Sequence, residues 1–275
     1  MDYSEFIKFS KKDSYFYVEY AHICVKNYVL TIIKKEGQIP IPCGVISTIF
    51  IGLGTSITNN AIRHSIKRGC LLIFVGENLS KCYSYIADPD RRASNFLKQI
   101  DLYFKFRKKQ ALYLFEKRFG HRKVKNLDLE TIRGHEGALI KKYYKNYAKE
   151  YGISWMGRKT KTEWENNDNF NRALSVANSC LYGIVNSAII SLGYSSALGL
   201  IHTGNHMSLV YDIADLYKLN YTVKLAFELH NKKDNFEISI ESLSRNKMKE
   251  LFEKEYFMDK VINDIQDIMD ECHYH

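Results

Sequence analysis

Four acidic or imidazole side chains interrupt otherwise apolar or glycine-rich surroundings. Glu136 lies in RGHEGALI, His202 in GLIHTGNH, and Asp212 and Asp215 in VYDIAD. Three residues apart on a helix, Asp212 and Asp215 share a face and are near enough to address one ion. His202 and Asp215 are 13 positions apart. At about 100° per residue, one unbroken helix would put them on nearly opposite faces. Gly199 and Gly204 suggest a break that could bring them together. Two carboxylates and an imidazole suit Mg²⁺ or Mn²⁺ better than a structural zinc. Such an ion neutralises charge on a phosphodiester and lowers the pKa of bound water. The plainer readings are a helix cap for Asp212, a solvated helix residue for Glu136 and a satisfied core group for His202. His202 and His206 stand four apart, but the H-E-x-x-H glutamate of a zinc helix is missing. Neither a G-x-x-x-x-G-K-[ST] loop nor a G-x-S-x-G elbow occurs, which argues against a P-loop NTPase and an α/β-hydrolase.

The elements that must position these groups come in two kinds. The first part of the chain is strand-like: Tyr15–Tyr20, Tyr28–Ile33, Val45–Ile51, Cys70–Val75 and Tyr83–Ile86, punctuated by Gly and Pro. One helix interrupts it over Thr58–Lys67, with Thr58 as N-cap and Gly69 past the end. The second part is helical, over Ser94–Phe119, Asp128 to about Tyr151, Asp168–Leu192, Val210–Lys218, Tyr221–His230 and Met248–Met269. Asp168–Leu192 is apolar around much of its circumference and should be central. Asp88-Pro89-Asp90-Arg91 looks like a linker. The fold class expected is α+β: a small β-dominated N-terminal domain over 1–87, then a larger all-α catalytic domain over 88–275.

Charge points to the partner. The 275 residues hold 40 Lys and Arg against 31 Asp and Glu, a net of +9. Residues 91–161 alone carry 20 against 6, or +14, so the rest of the chain is at −5. That asymmetry favours nucleic acid or another polyanion. Hydrophobic residues make up 45 %, and Pro is only 3 and Gly 15, which excludes disordered, collagen-like and low-complexity classes. The six cysteines form no C-x-x-C pair and no disulfide framework, so free thiols are expected. Met1–Ser10 does not read as a signal peptide, and no apolar run of membrane-spanning length is evident. The expectation is a soluble, cytoplasmic protein with no membrane partner.

Several segments are familiar together. Ile201–Lys218 (IHTGNHMSLVYDIADLYK), Ser179–Gly183 (SCLYG), Arg133–Gly137 (RGHEG), Trp155–Asn166 (WMGRKTKTEWEN) and Pro42–Thr58 (PCGVISTIFIGLGTSIT) occur in order along nearly the whole chain. The sequence resembles the metal-dependent integrase subunit of CRISPR spacer acquisition, most nearly that of the E subtype of type I systems. The resemblance implies a β-rich N-terminal domain and a helical catalytic domain. It implies homodimers, two of which flank a dimer of a small ferredoxin-fold partner subunit. The DNA would be a short duplex with 3′ overhangs, each 3′-OH attacking a phosphodiester at the edge of a CRISPR repeat, with related endonuclease activity.

By the same resemblance, Glu136, His202 and Asp215 hold Mg²⁺ or Mn²⁺, and Asp212 supports the site or contacts the ion. Tyr182 stands beside the active site. Tyr20 stacks on the duplex end, Arg63 and Lys81 contact phosphates, and Arg158 and Trp164 belong to a loop that reads the motif-derived nucleotide. The chain departs from relatives at Thr160 (tyrosine there), Asn205 (lysine) and Ser56 (arginine), and lacks the proline-rich tail of some of them. The same residues would also serve a metal nuclease acting on branched DNA in repair. A DNA-binding scaffold without catalysis is the reading from another class.

Overall fold

Val, Ile, Phe and Leu runs of the first part assemble into two four-stranded sheets in the computed structural model. One has the order β1 (Ser14–Val18), β5 (Ile46–Ile51), β7 (Leu71–Val75), β8 (Cys82–Ile86). β1, β5 and β7 are parallel and β8 closes the edge antiparallel. Parallel strands are buried on both faces, which is why ISTIFI and LLIFV are nearly continuous apolar runs. The other sheet has the order β4 (Gly37–Ile41), β3 (Val29–Lys34), β2 (His22–Lys26), β6 (Ser56–Ile57). Val18, Ile23, Leu30, Ile32, Ile49, Ile51 and Leu72 from both sheets share one core. Ala61 of α1 (Asn59–Lys67) joins it. Thr58 caps α1, its hydroxyl accepting from Ala61 N at 3.2 Å.

The structure describes residues 14–41, 43, 46–76, 81–86, 93–119, 129–153, 169–230 and 239–270. These divide into two compact units, Met1–Asn95 with Ser191–Gly193, and Phe96–Ile190 with Tyr194–His275. The fold is α+β, with the β-rich region first and a helical domain after it. Arg158 and Trp164 lie outside the described residues, as do the Asp128 cap, the Asp88–Arg91 linker, Thr160 and Cys272. Cys24, Cys43, Cys70, Cys82 and Cys180 are free thiols.

The helical unit comprises α2 (Ala93–Lys105), α3 (Arg107–Phe119), α4 (Leu129–Glu150), α5 (Asn169–Ser191), α6 (Ser208–Ala214), α7 (Lys224–Leu229), α8 (Ile240–Lys254) and α9 (Phe257–Asp270); α2 begins at the end of the first unit. Three expectations need correction. The single helix over Ser94–Phe119 is divided at Phe106, although Phe106 N still donates to Leu102 O and Gln110 N to Phe106 O. The single closing helix over Met248–Met269 is two. Tyr256, at φ 48, turns the chain between them, and the step of five from Phe252 to Phe257 is the trace of that turn. The helix expected from Tyr221 starts instead as a π-helical turn, Leu219–Val223, before α7.

The expectation about apolar length also changes. α5 is long and apolar enough, by length and composition, to cross a membrane. In the fold it is the core helix: 61 % of its most apolar window is buried inside the protein. Phe170, Leu174, Leu181, Val185 and Ile189 are all at or below 1 % exposure.

Candidate active site

Asp212, on α6, organises the loop that carries His202. Its Oδ2 accepts from Leu200 N and from Ile201 N (3.0 Å). Its Oδ1 accepts from His202 N (2.9 Å) and meets His202 Nδ1 (2.7 Å). A carboxylate has no hydrogen to give, so Nδ1 is the donor, and in the neutral ring Nε2 then carries the lone pair. Asp212 is buried, and its acceptor positions are filled. It therefore does not face an ion beside Asp215, as a shared helix face had suggested. It holds His202 through both the backbone nitrogen and the ring. The hydrogen bond to Asp212 raises the His202 pKa above the ordinary histidine value; partial burial opposes it, and the charges of Asp212 and Asp215 add to it.

The break expected at the glycines is real. Gly193–Met207 is not helical, so His202 and His206 are not one turn apart on a helix. A Cβ on Gly199 would meet His202 O, with Ser208 Cβ at 2.7 Å and Ser208 C at 2.8 Å. Only glycine lets the loop pass that close to the start of α6.

Asp215 follows α6 directly and has different partners. Lys218 Nζ meets its Oδ1 at 2.7 Å, and Arg118 Nη1 approaches its Oδ2 at 3.5 Å. The same Arg118 Nη1 is ion-paired to Glu136 Oε1 from α4. Glu136 and Asp215, far apart in sequence, thus share one guanidinium nitrogen. The Arg118 side chain is 7 % exposed; Glu136 and Asp215 are only slightly more open. Burial lowers the Lys218 pKa, but Asp215 and Tyr182 outweigh it and hold the ammonium above the ordinary lysine range. Lys218 Nζ lies 5.0 Å from the Tyr182 ring centroid and 5.9 Å from that of Tyr211. Tyr211 packs edge-on against both Tyr182 (5.2 Å) and His202 (5.8 Å). Tyr182 therefore sits beside Asp215 through Lys218, with its ring in the aromatic wall.

Sequence reasoning missed Arg118 and Lys218. Arg118 falls within the basic stretch 91–161, whose plain reading is a solvated surface, yet its side chain is only 7 % exposed; Lys218 is partly buried. The signal was available for Lys218, three residues after Asp215 on a helical turn. For Arg118 nothing local distinguishes it from its neighbours in FEKRFG.

In the β-rich unit, Tyr20 is 67 % exposed at φ 51, with Tyr20 N donating to Leu53 O at 2.8 Å. Its ring lies over Gly54, where a Cβ would stand 2.6 Å from Tyr20 Cδ1. Tyr20 does not pack into the sheet core. Arg63 is exposed on α1, its Nη2 3.4 Å from Asn60 Oδ1. Lys81 is exposed, 5.7 Å from the Tyr83 ring centroid.

Among the described residues no three His, Cys, Asp or Glu side chains stand as a ready-made metal cage. Carboxylate and imidazole are nevertheless donor types that a divalent ion of the Mg²⁺ or Mn²⁺ kind accepts. Two carboxylates already converge on one cation, and an imidazole fixed by a carboxylate leaves Nε2 to donate, as metal-binding histidines do.

Comparison with known proteins places the chain in a family. The family model "CRISPR associated protein Cas1" matches residues 117–254. The chain is 34 % identical over 264 residues to CRISPR-associated endonuclease Cas1 2 of Thermus thermophilus, covering 95 % of this chain and 80 % of that protein. It is 36 % identical over 220 residues to CRISPR-associated endonuclease Cas1 of Escherichia coli, covering 78 % and 72 %. The crystal structure of a TtCas1–DNA complex superposes with a TM-score of 0.87 at 33 % identity, over 95 % of this chain and 98 % of that one. The chain belongs to the Cas1 family of CRISPR-associated proteins.

Proposed function

We propose that the chain is a metal-dependent DNA endonuclease and integrase that inserts short captured DNA into a CRISPR array. The carrying observation is the convergence of Glu136 and Asp215 on one buried cation, with His202 held by Asp212 alongside. Names of relatives support the endonuclease activity, and the TtCas1–DNA complex supports DNA as the ligand. The motif order favours the E subtype of type I systems. DNA with 3′ overhangs, CRISPR repeat DNA, a second copy of this chain and a small ferredoxin-fold subunit are the proposed partners, in the cytoplasm.

In this reading Glu136, Asp215 and His202 hold Mg²⁺ or Mn²⁺. When bound, the ion lowers the pKa of the attacking hydroxyl and neutralises charge on the phosphate. The protein does the rest by placement. Asp212 keeps His202 in the tautomer that can donate from Nε2. Lys218, charged and hydrogen-bonded by Asp215 and Tyr182, offers its cation to the phosphate. The attacking 3′-OH, the phosphorus and the leaving oxygen must be held in line, which needs no covalent enzyme intermediate. Water in place of the 3′-OH gives hydrolysis from the same site.

Strand transfer tests this. A labelled short duplex with 3′ overhangs is incubated with a repeat-bearing supercoiled plasmid, the small partner subunit and Mg²⁺ or Mn²⁺. Joined product that depends on metal, partner and Asp215 is expected. Cleavage without joining, including of branched DNA, moves the assignment to a repair nuclease. DNA binding without any chemistry makes the chain a scaffold.

A further inference from the structure

Arg118 stands where a divalent ion would otherwise be needed. One of its nitrogens is ion-paired to Glu136 and lies 3.5 Å from Asp215. Two carboxylates brought together and partly buried without a cation repel each other and lose hydration. In the ion-free protein, Arg118 supplies that cation and Lys218 supplies a second to the outer face of Asp215. The guanidinium is built into the fold: it is buried, lies 4.8 Å from the Phe119 ring centroid, and comes from α3, whereas its partners come from α4 and the end of α6.

A second observation shows that this arrangement is incomplete. Arg118 Nε is buried and has no hydrogen-bond partner among the described residues. Buried guanidinium donors are ordinarily all satisfied, so an unsatisfied one marks a position from which the side chain has reason to move. A fork that meets both carboxylates through Nη1 alone uses only part of its bidentate capacity.

We propose that Arg118 is a resident counter-cation that competes with the divalent ion: it holds Glu136 and Asp215 together when no ion is bound, and yields their oxygens when one enters. This rests on the reading of Glu136 and Asp215 as metal ligands. Arg118 is thus a positioning residue with a definite cost to metal binding. The metal affinity of the wild-type protein is set below what the same ligands would give without it. A site that stays assembled without metal would take up the ion without reorganising its backbone, and would release it more readily than a preformed empty cage.

The test is Mn²⁺ binding to the full chain, read by the loss of the free-Mn²⁺ electron paramagnetic resonance signal. Wild type is compared with Arg118→Met, Arg118→Lys, Lys117→Met and Asp215→Asn. Arg118→Met should bind Mn²⁺ about tenfold more tightly, the order expected when one charge-assisted hydrogen bond no longer competes. Its melting temperature should fall without metal and recover with it. Lys117→Met removes an adjacent charge that pairs instead with Asp264 (2.6 Å) and Asp267 (2.9 Å), and should leave Mn²⁺ affinity unchanged. If Arg118→Met does not fold, Arg118→Lys carries the test: a point charge spans two carboxylates poorly, so affinity should still rise. Unchanged or weaker Mn²⁺ binding in the Arg118 variants, with binding still lost in Asp215→Asn, overturns the competition and leaves the metal reading standing. An equal gain in Lys117→Met overturns it too, by reducing it to net charge. Mn²⁺ binding that ignores Asp215 in every variant overturns the metal reading and the competition with it.

Discussion

Asp212 Oδ1 accepts from both the backbone nitrogen of His202, at 2.9 Å, and its ring Nδ1, at 2.7 Å. One carboxylate oxygen thus fixes where the histidine stands and which of its nitrogens carries hydrogen. The other oxygen holds the two preceding backbone N–H groups. Removing this carboxylate should affect folding as well as chemistry. Asp212→Ala leaves three backbone donors without their acceptor, which should lower stability on the order of 3 kcal/mol. Asp215→Ala, at a partly exposed position, should abolish strand transfer with a much smaller stability change. Urea unfolding of both variants beside their activity separates the two roles. Equal stability of the two would remove the supporting role assigned to Asp212.

Gly199 makes that loop possible. An added methyl would be driven into the His202 carbonyl and the first residue of α6, neither of which is the far end of a flexible side chain. Gly199→Ala should destabilise the protein by about 2 kcal/mol and lower activity by shifting His202. Gly204 also bounds the loop, at φ 79, but a Cβ there meets nothing within 4 Å. Its substitution should act through backbone strain alone. Thermal melts of the two alanine variants with a metal-binding measurement check this: Gly199→Ala should change both, Gly204→Ala chiefly the first.

Much of this was readable before the fold was known, and the parts that were not share a cause. Buried parallel strands announce themselves as apolar runs, so β5 and β7 were legible. β2 was not: it is joined to β3 by Asn27 and Tyr28, both at positive φ (47 and 63). That turn geometry is usually announced by Asn-Gly, and a tyrosine in its place conceals the hairpin. In the site, helical spacing pairs Asp212 with Asp215, but the two carboxylates have different partners. Helical spacing gives the face a residue shares but not which neighbour will satisfy it. The backbone N–H groups that claim Asp212 belong to a loop whose path no periodicity describes. Arg118 was invisible because its role depends on residues 18 and 97 positions away.

Arg172 on α5 and Glu241 in the first turn of α8 form a two-pronged pair, Nε to Oε1 at 2.7 Å and Nη2 to Oε2 at 2.9 Å. The hydrogen bonds from Arg172 hold the Glu241 carboxyl below the ordinary glutamate pKa, against partial burial. A depressed folded-state pKa gives stability that is fully present above the unfolded value of about 4.3 and is lost as pH falls through the folded value. Arg172→Met should therefore cost about 1–2 kcal/mol near neutral pH. Its deficit should shrink as pH falls into the acidic range, because wild type loses the same contribution. Denaturant unfolding of both proteins at a series of pH values checks the sign. A deficit that is constant with pH would mean that Arg172 acts through packing and not through its charge.

Tyr20 combines features that a folding role does not explain. It is 67 % exposed, it is held at φ 51, and its ring lies against Gly54 instead of the sheet core. Tyr28 and Tyr256 share that backbone geometry at turns, so it is the exposed ring, left outside the core, that points to a use beyond the fold. Stacking on the terminal base pair of a duplex is such a use, worth roughly 1–3 kcal/mol by alanine substitution. Tyr20→Ala should weaken binding of a short blunt duplex about tenfold, within that range, while stability changes by less than about 0.5 kcal/mol. Tyr20→Phe keeps the ring and should bind as wild type does. The decisive comparison is a duplex closed at both ends by hairpin loops, which offers phosphates but no terminal pair. Fluorescence anisotropy should show Tyr20→Ala and wild type binding it alike. If Tyr20→Ala loses affinity for open and closed duplexes equally, the tyrosine contacts the duplex along its length and does not stack on its end.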